Sequence, residues 1–458
     1  MVIPESSRPG NRSSFCDKRH ADFSVSRSRA DSDARLRGTD VAGNRRESPI
    51  TMRGENPGLG RVVSRSRNVY TLGMTGVPTS PAHWLEIDGD ALRHNLDLFR
   101  KLVTPGAALV GVVKANAYGH GMEEVVSQVA DRVDWFGVHA AAEARRLRAS
   151  GVRHPILVMG FVPPGDFEGL GPDDHLLIST REVIEWAGDF RRRSGRALPV
   201  HLKIDTGTNR QGFEVSELPE IIREVADQGL EVAGVATHFA NIEDTLEHDF
   251  ARRQLNQFNE VIATTRRLLG ADPPFVHAAC SAASLLMREA DFSMVRVGIS
   301  MYGHWPSRET RLSWILEHGG RHVELRPAAT WKASVGQIQR VKKGETVGYG
   351  RTWTALRPSR LAVLPVGYSD GYPRVLGNRS RVAIGGHPAP VVGRVCMNIT
   401  MVDVTDVEPV GVGDEAVLIG RQGDVTVSAE ELAELSGTIN YELLARLSPS
   451  IRRVVVGG

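Results

Sequence analysis

Residues 108–139 read ALVGVVKANAYGHGMEEVVSQVADRVDWFGVH, and this stretch contains the pattern that decides the fold. The run ALVGVV (108–113) is continuously apolar, which is typical of a strand buried on both faces of a parallel sheet. In MEEVVSQVADRV (122–133), apolar residues recur at spacings of three and four, which predicts an amphipathic helix. WFGVH (135–139) is a second apolar run of strand length. The stretch therefore predicts a βαβ unit.

Further apolar runs of strand length follow this unit, and amphipathic helix patterns separate several of them. The eight predicted strands are ALVGVV (108–113), WFGVH (135–139), PILVMG (155–160), HLLIS (175–179), PVHLKID (199–205), LEVAGVATH (230–238), FVHAAC (275–280) and MVRVGIS (294–300). Because eight strands alternate with helices, we predict an α/β fold, a (β/α)8 barrel of the TIM type.

The sequence on either side of the barrel has a different character. Beyond about residue 320, strand-like runs are separated by Gly and Pro turns, which predicts a C-terminal domain that is mainly β. The first eighty residues hold 14 basic and eight acidic side chains and few large apolar ones, which is typical of disorder. We therefore predict a disordered N-terminal extension over 1–83, the barrel over 84–320 and the β domain over 321–458. Met74 is an alternative position for the start codon, because the sequence predicted to be structured begins at about Trp84.

Composition excludes several classes of function. The chain has 458 residues and a net charge of +2, which gives no reason to expect a nucleic-acid or membrane partner. No apolar run approaches the roughly 20 residues of a membrane span. The three cysteines form no CxxC pair, and no HxH or HExxH group occurs, so we expect no metal site. A cytoplasmic location is expected, because so few cysteines suit a reducing compartment and no signal peptide is recognisable.

Polar residues follow the predicted barrel strands at the rim where such barrels carry their active sites. They are Lys114, Lys203, Asp205, His238, Ser281 and Arg296. Desolvation at an apolar barrel mouth would make the Lys114 amine nucleophilic toward carbonyls, although a rim lysine can also form only an ion pair. Ser281 and the backbone of Gly298 and Ile299 lie where these barrels bind phosphate. A reactive lysine facing a phosphate site suggests pyridoxal 5'-phosphate. His238 could instead be only a buried core histidine.

A set of longer motifs gives the chain a family resemblance. In order they are VVKANAYGHG, LKIDTGTNRQGF, ATHFANIEDT, CSAAS, VRVGISMYG, VGYGRTW, LPVGYSDGYPR, GRVCMNITMVD and TINYE. Together they resemble bacterial alanine racemases from Trp84 to Arg453. The resemblance implies a barrel with a C-terminal β domain, and a homodimer whose two active sites each use residues of both subunits. It also implies interconversion of L- and D-alanine with pyridoxal 5'-phosphate, which supplies D-alanine for peptidoglycan.

The resemblance also implies a role for individual residues. Lys114 would hold the cofactor covalently and act as one catalytic base, and Tyr349, from the other subunit, would be the opposing base. Arg210 and the backbone of Met397 would bind the substrate carboxylate, and Lys203 matches a lysine that the family often carbamylates. The other implied residues are Tyr118, Ser281, Gly298, Ile299 and Tyr441 for the phosphate, Arg296 for the pyridine nitrogen, His238 in support of the ring or of the tyrosine network, and Tyr368 and Arg374 in the access channel.

Two departures from the family pattern leave open which amino acid is the substrate. Cys280 stands where many members have Asn, and Asn398 stands where many have Asp. Racemases of serine, lysine or arginine share the scaffold, and a barrel-type pyridoxal-phosphate decarboxylase has the same domain plan. A non-catalytic carrier of the cofactor or an inactive barrel are the remaining alternatives. Such a carrier is a single barrel, whereas here a β domain supplies Tyr349, and an inactive barrel is disfavoured because the polar rim residues fall in the order of the family.

Overall fold

The computed structural model of the chain describes residues 71–72, 78–79 and 81–457. Most of the predicted disordered extension over 1–83 therefore lies outside the described residues. Within it, β1 (Thr71–Leu72) and β2 (Pro78–Thr79) form a short antiparallel pair of strands. The strand β3 (His83–Asp88) follows, and the helix α1 (Gly89–Leu102) begins directly after it. Asp88 caps this helix, because its carboxylate accepts a hydrogen bond from the Ala91 N–H at 2.9 Å.

Eight parallel strands follow and close nearly into a barrel. They are β4 (Ala108–Val112), β5 (Trp135–Val138), β6 (Ile156–Val158), β7 (Asp174–Ile178), β8 (Val200–Lys203), β9 (Val232–Ala236), β10 (Phe275–His277) and β11 (Met294–Val297). In space the order is β10-β9-β8-β7-β6-β5-β4-β11. Backbone bonds from Ser293 N–H to Val276 O and from Arg296 N–H to Ala279 O bridge the remaining seam. Each strand coincides with one predicted apolar run.

Helices surround this barrel. They are α2 (Lys114–Tyr118), α3 (Met122–Val129), α4 (Ala141–Ala149), α5 (Arg181–Ser194), α6 (Leu218–Asp227), α7 (Asp249–Leu269), α8 (Ser281–Leu286) and α9 (Arg308–Glu317). The segment α2 is a single left-handed turn. The apolar faces of α3, α4 and α6 pack on strands that are buried on both sides, as the amphipathic patterns predicted. Between residues 81 and 457, none of the helices combines the length and apolar character that crossing a lipid bilayer requires.

The C-terminal domain is mainly β, as predicted, so both parts of the predicted fold class are confirmed. Its strands are β12 (Ala329–Ser334), β13 (Gln337–Val341), β14 (Thr346–Val347), β15 (Trp353–Thr354), β16 (Ser359–Leu364), β17 (Arg381–Ile384), β18 (His387–Pro390), β19 (Thr400–Asp403), β20 (Glu415–Gln422), β21 (Val425–Val427) and β22 (Arg452–Val456), with the helices α10 (Ala429–Ser436) and α11 (Asn440–Ala445). The larger sheet runs β18-β17-β20-β12-β3-β22, and β13-β16-β19 form a second sheet.

The strand β3 belongs to a different domain from the one that the sequence predicted. The predicted barrel segment began at residue 84, yet β3 pairs antiparallel with β12 and parallel with β22, in the sheet of the C-terminal domain. Leu85 and Ile87 alternate with more exposed residues, which suits a sheet with one buried face rather than a barrel strand buried on both. The domain limits themselves stay a prediction.

Candidate active site

A cavity of about 490 Å³ lies at the carboxyl ends of the barrel strands. Eight of the predicted site residues line it, namely Lys114, Tyr118, His238, Ser281, Arg296, Gly298, Ile299 and Tyr441. Seven of them come from the barrel, and Tyr441 comes from α11 of the β domain. Because both domains contribute side chains to the wall, this cavity is where the two-domain plan forms a binding site.

Lys114 enters the cavity from an unusual turn directly after β4. The four residues that follow it all have left-handed backbone angles, with φ of 53° or 54° at Ala115, Asn116, Ala117 and Tyr118. Such angles cost roughly 1–2 kcal/mol per non-glycine residue. The Glu143 carboxylate stabilises the turn by accepting the Ala115 N–H at 2.7 Å, and the Ala117 N–H donates to the Val113 carbonyl. These hydrogen bonds therefore hold the strained turn in the conformation that directs Lys114 into the cavity.

The electrostatic surroundings favour an uncharged Lys114 amine. Burial lowers the pKa of Lys114, the charges of Arg210 and Arg296 lower it further, and only Glu143 opposes the shift. A lowered pKa leaves more of the amine in the nucleophilic form at neutral pH. The geometry and the charges thus make Lys114 the candidate nucleophile of the cavity.

Neutral hydrogen-bond donors line another part of the cavity. The Gly298 N–H donates to Ser281 Oγ at 2.9 Å, and a Cβ on Gly298 would lie 2.5 Å from Tyr118 Oη. Burial raises the pKa of Tyr118 and of Tyr441 well above the usual range, so both remain O–H donors. A backbone N–H, a serine and two tyrosines around a glycine form a donor cup that suits the oxygens of a phosphate group.

Arg296 forms the deep wall of the cavity and is buried. It donates to the carbonyls of Thr237 (3.1 Å) and Ala278 (2.9 Å), to His277 Nδ1 (2.7 Å) and to His238 Nδ1 (3.4 Å). All four acceptors are neutral, because burial lowers the pKa of each histidine well below its usual range. Burial also lowers the pKa of Arg296 to about 10, which still leaves the guanidinium charged at neutral pH.

Lys203 and Arg210 lie beside the cavity rather than in its wall. The Lys203 amine is buried and has no hydrogen-bond partner among the described residues. Burial lowers the pKa of Lys203 to about 7, and the charge of Arg296 adds to the shift. The exposed Arg210 lines a neighbouring cleft with Asp205, whose carboxylate accepts the N–H groups of Gly207 and of Arg210 itself. This turn fixes the backbone that carries Arg210.

Four predicted residues of the β domain do not line this cavity. Tyr349 is 74% exposed and Met397 is 56% exposed, and Tyr368 and Arg374 are also at the surface. Tyr349 stands between Gly348 and Gly350, which have φ of 71° and 73°. Other residues are strained in this left-handed conformation, so the turn that displays Tyr349 favours glycine on both sides. A single chain therefore presents these four side chains at its surface rather than in its own cavity.

The sequence did not indicate Glu243, which also lines the cavity. Its carboxylate accepts the Tyr441 hydroxyl at 3.1 Å and the Cys280 thiol at 3.7 Å. Burial raises the pKa of Glu243, and burial raises the pKa of Cys280 to about 12, so Cys280 stays a thiol at neutral pH. The signal that the sequence offered for Glu243 was an acidic residue in the loop after β9.

Among the described residues, no His, Cys, Asp or Glu side chains group so as to hold a metal ion.

The fold and the cavity define a class of protein, a barrel with an attached β domain and a lysine in a cavity at the barrel mouth. Comparisons with known proteins narrow this class. Residues 87–306 match the family model of the alanine racemase N-terminal domain, and residues 328–455 match that of the alanine racemase C-terminal domain. The chain belongs to the alanine racemase family and is an amino-acid racemase.

Individual relatives agree with this assignment over nearly their whole length. The alanine racemase of Leptospira interrogans is 36% identical over 388 residues, which cover 84% of this chain and 98% of that protein. That of Carboxydothermus hydrogenoformans is 39% identical over 81% of this chain and 99% of its own. Two solved alanine racemases are similar in structure. The Streptomyces lavendulae protein has a TM-score of 0.76 at 32% identity and covers 83% of this chain and 98% of its own. The Bacillus anthracis protein, solved with bound L-Ala-P, has a TM-score of 0.75 at 33% identity, with 83% and 96% covered. The predicted resemblance is confirmed.

Proposed function

We propose that the chain interconverts L- and D-alanine with pyridoxal 5'-phosphate, in a homodimer whose subunits share each active site, and so supplies D-alanine for peptidoglycan. One observation carries this proposal: Lys114 and a cup of neutral donors line the same cavity, in a chain of the alanine racemase family. The family match favours racemisation over the decarboxylase and carrier alternatives.

The residues of the cavity fit the proposed cofactor. Ser281, the Gly298 N–H, Tyr118 and Tyr441 would hold its phosphate, which would replace Ser281 Oγ as acceptor of the Gly298 N–H and Glu243 as acceptor of the Tyr441 hydroxyl. The missing Cβ at Gly298 lets the Tyr118 hydroxyl lie against this backbone. Lys114 would bind it covalently. When bound, pyridoxal phosphate withdraws electrons from the substrate and so acidifies the Cα–H bond.

Arg296 would contact the ring nitrogen. A guanidinium has donors only and keeps its protons, so it leaves a facing ring nitrogen unprotonated. With Arg296 in this position the ring would be a weaker electron sink, which would favour return of the proton to Cα over side reactions such as transamination. His238, which contacts Arg296 through Nδ1, would lie beside the ring.

Racemisation needs proton-handling groups on opposite faces of Cα, because a single group returns the proton to the face from which it came. Lys114 would serve one face. The other face would be served by Tyr349 of the partner subunit, since Tyr349 is displayed at the surface of its own chain. Burial and neighbouring cations tune Lys114 toward working pH.

Arg210 would bind the substrate carboxylate and so orient Cα between the two bases, together with the backbone of Met397. We infer that Lys203 supports Arg210 as a carbamate. An uncharged amine reacts with CO2 to form a carbamate and release a proton. The unpartnered amine of Lys203, with a pKa of about 7, is partly uncharged at neutral pH. The negative carbamate would then pair with the Arg210 guanidinium.

This carbamate gives a testable pH dependence. Above pH 7 the carbamate should form, and it should be lost as the pH falls below the pKa of Lys203, because the ammonium form does not react. Protein equilibrated with ¹³C-labelled CO2 should show one carbamate resonance that Lys203→Arg removes. We expect Lys203→Arg to raise the KM for alanine by roughly tenfold with a smaller effect on kcat, since Arg210 loses its orientation. An unchanged resonance in the variant would place the carbamate elsewhere.

Proton exchange tests the proposed reaction and its substrate together. L-Alanine, L-serine, L-lysine and L-arginine are incubated separately with the protein in D2O, and D-isomer formation and deuterium at Cα are followed. We expect alanine to be converted with the highest kcat/KM, and each D-product to carry deuterium. Faster conversion of serine, lysine or arginine would assign the chain to that substrate. Loss of CO2 without a D-isomer would indicate a decarboxylase.

A further inference from the structure

A chain of three histidines leads from Arg296 through the barrel interior. His277 Nε2 lies 2.9 Å from His201 Nδ1, and His201 Nε2 lies 3.0 Å from His175 Nδ1. The histidines belong to β10, β8 and β7, and Arg296 belongs to β11. Four barrel strands therefore contribute to one line of hydrogen bonds, and none of the roles proposed above uses its outer two members.

The packing around this line is specific. His201 and His277 are fully buried, and the ring of Phe275 stacks on His201 at 5.6 Å. On the neighbouring strand β9, a Cβ on Gly234 would lie 2.6 Å from His201 Nδ1. The barrel thus leaves space for the His201 ring by placing glycine opposite it. The space and the stacking hold the ring in the position that both hydrogen bonds require.

Arg296 determines the tautomer of every ring in the line. A guanidinium only donates, so His277 Nδ1 must be the acceptor and the His277 proton must lie on Nε2. That N–H donates to His201 Nδ1, which places the His201 proton on Nε2 as well. The same argument places the His175 proton on Nε2. A second proton on any of the three rings would set a donor against a donor.

We propose that His277, His201 and His175 form a relay of neutral, Nε2-protonated rings that holds the Arg296 guanidinium in place. His277 is its inner positioning residue, and His201 and His175 act on Arg296 only through it. The low pKa values of these rings agree with the neutral state, since burial lowers that of His175 to about 4 and holds those of His201 and His277 well below the usual range. The effect on a bound cofactor ring rests on the proposed function, whereas the tautomers do not.

Nitrogen NMR tests the relay directly. The full-length protein is purified with ¹⁵N-labelled histidine, and the three rings are assigned from single substitutions. A protonated and an unprotonated imidazole nitrogen have well-separated shifts, so the tautomer can be read for each ring. We expect an unprotonated Nδ1 and a protonated Nε2 in all three at neutral pH. A protonated Nδ1 in any one of them would overturn the relay, whether or not the protein proves to be a racemase.

Variants test its effect on Arg296. His201→Phe keeps a ring on Phe275 but removes the acceptor for His277, so kcat should fall about tenfold and the absorption spectrum of the bound cofactor should shift. His201→Asn restores an acceptor near the Nδ1 position and should recover most of both. Trp135→Phe is the matched control, because Trp135 packs edge-on against His175 and His201 without joining the relay, and it should behave as the parent.

The outcomes separate hydrogen bonding from packing. Equal losses in His201→Phe and His201→Asn, or a Trp135→Phe loss as large as that of His201→Phe, would show that packing alone positions Arg296. A His201→Phe protein with parental kcat and spectrum would equally contradict the proposal. If His201→Phe fails to fold, the tautomers of the parent protein still decide the matter.

Discussion

Replacing Tyr349 by phenylalanine is expected to lower racemisation in both directions by roughly 10³-fold, because it removes the acid and base for one face of Cα. Cofactor absorbance should persist, since Tyr349 lies outside the cavity that holds the donor cup. One enantiomer should still exchange its Cα proton with D2O and keep its configuration, because Lys114 continues to serve its own face. Racemisation rates and deuterium incorporation measured on each enantiomer check these expectations.

The loss in Tyr349→Phe must be separated from a loss of assembly. The variant should have the same molar mass in solution as the parent protein and the same cofactor content. With these unchanged, racemisation at the parental rate would remove Tyr349 as a base. Loss of exchange at both enantiomers would show that Tyr349 does more than handle one proton.

The second large effect is expected at Lys114. Lys114→Ala removes both the covalent anchor and the other base, so racemisation should fall by roughly 10⁴-fold or more. Reduction of the parent protein with borohydride should attach the cofactor to the peptide that contains Lys114, as mass spectrometry would show. Lys114→Arg places a long basic side chain at this position that keeps its protons and forms no such bond, and it should be equally inactive.

Lys203 supplies the internal control for this assignment. It is a buried lysine beside the cavity, and with a pKa of about 7 its amine is partly uncharged at neutral pH. Lys203→Arg should leave trapping at Lys114 intact. Trapping on Lys203 in the parent protein would reverse the two assignments.

The fold was largely predictable because its barrel strands are continuous apolar runs, and each of the eight runs became a strand. The placement of β3 was not predictable in the same way. Its partners β12 and β22 lie more than two hundred residues further along the chain, and local patterns do not report such pairing. The left-handed turn after Lys114 was also hidden, because Ala115 and Ala117 have no intrinsic preference for positive φ.

The candidate site could be predicted in part for a similar reason. Residues such as Lys114 and Ser281 interrupt or end apolar strands, so their position at the rim is visible in the sequence. His201 and His175 lie inside strand patterns, where a histidine reads as a core residue, and only the closure of the barrel brings them into line with Arg296. Glu243 lies in a loop whose path no periodicity determines.

Mixing two inactive variants tests the central claim most directly, that each site combines Lys114 of one subunit with Tyr349 of the other. Lys114→Ala and Tyr349→Phe subunits are mixed in equal amounts and allowed to exchange, with mass spectrometry to show hybrid dimers. Half of the dimers are then hybrids with one intact site of two, so about a quarter of parental activity should return. Hybrids that form in full and remain inactive would contradict the shared site.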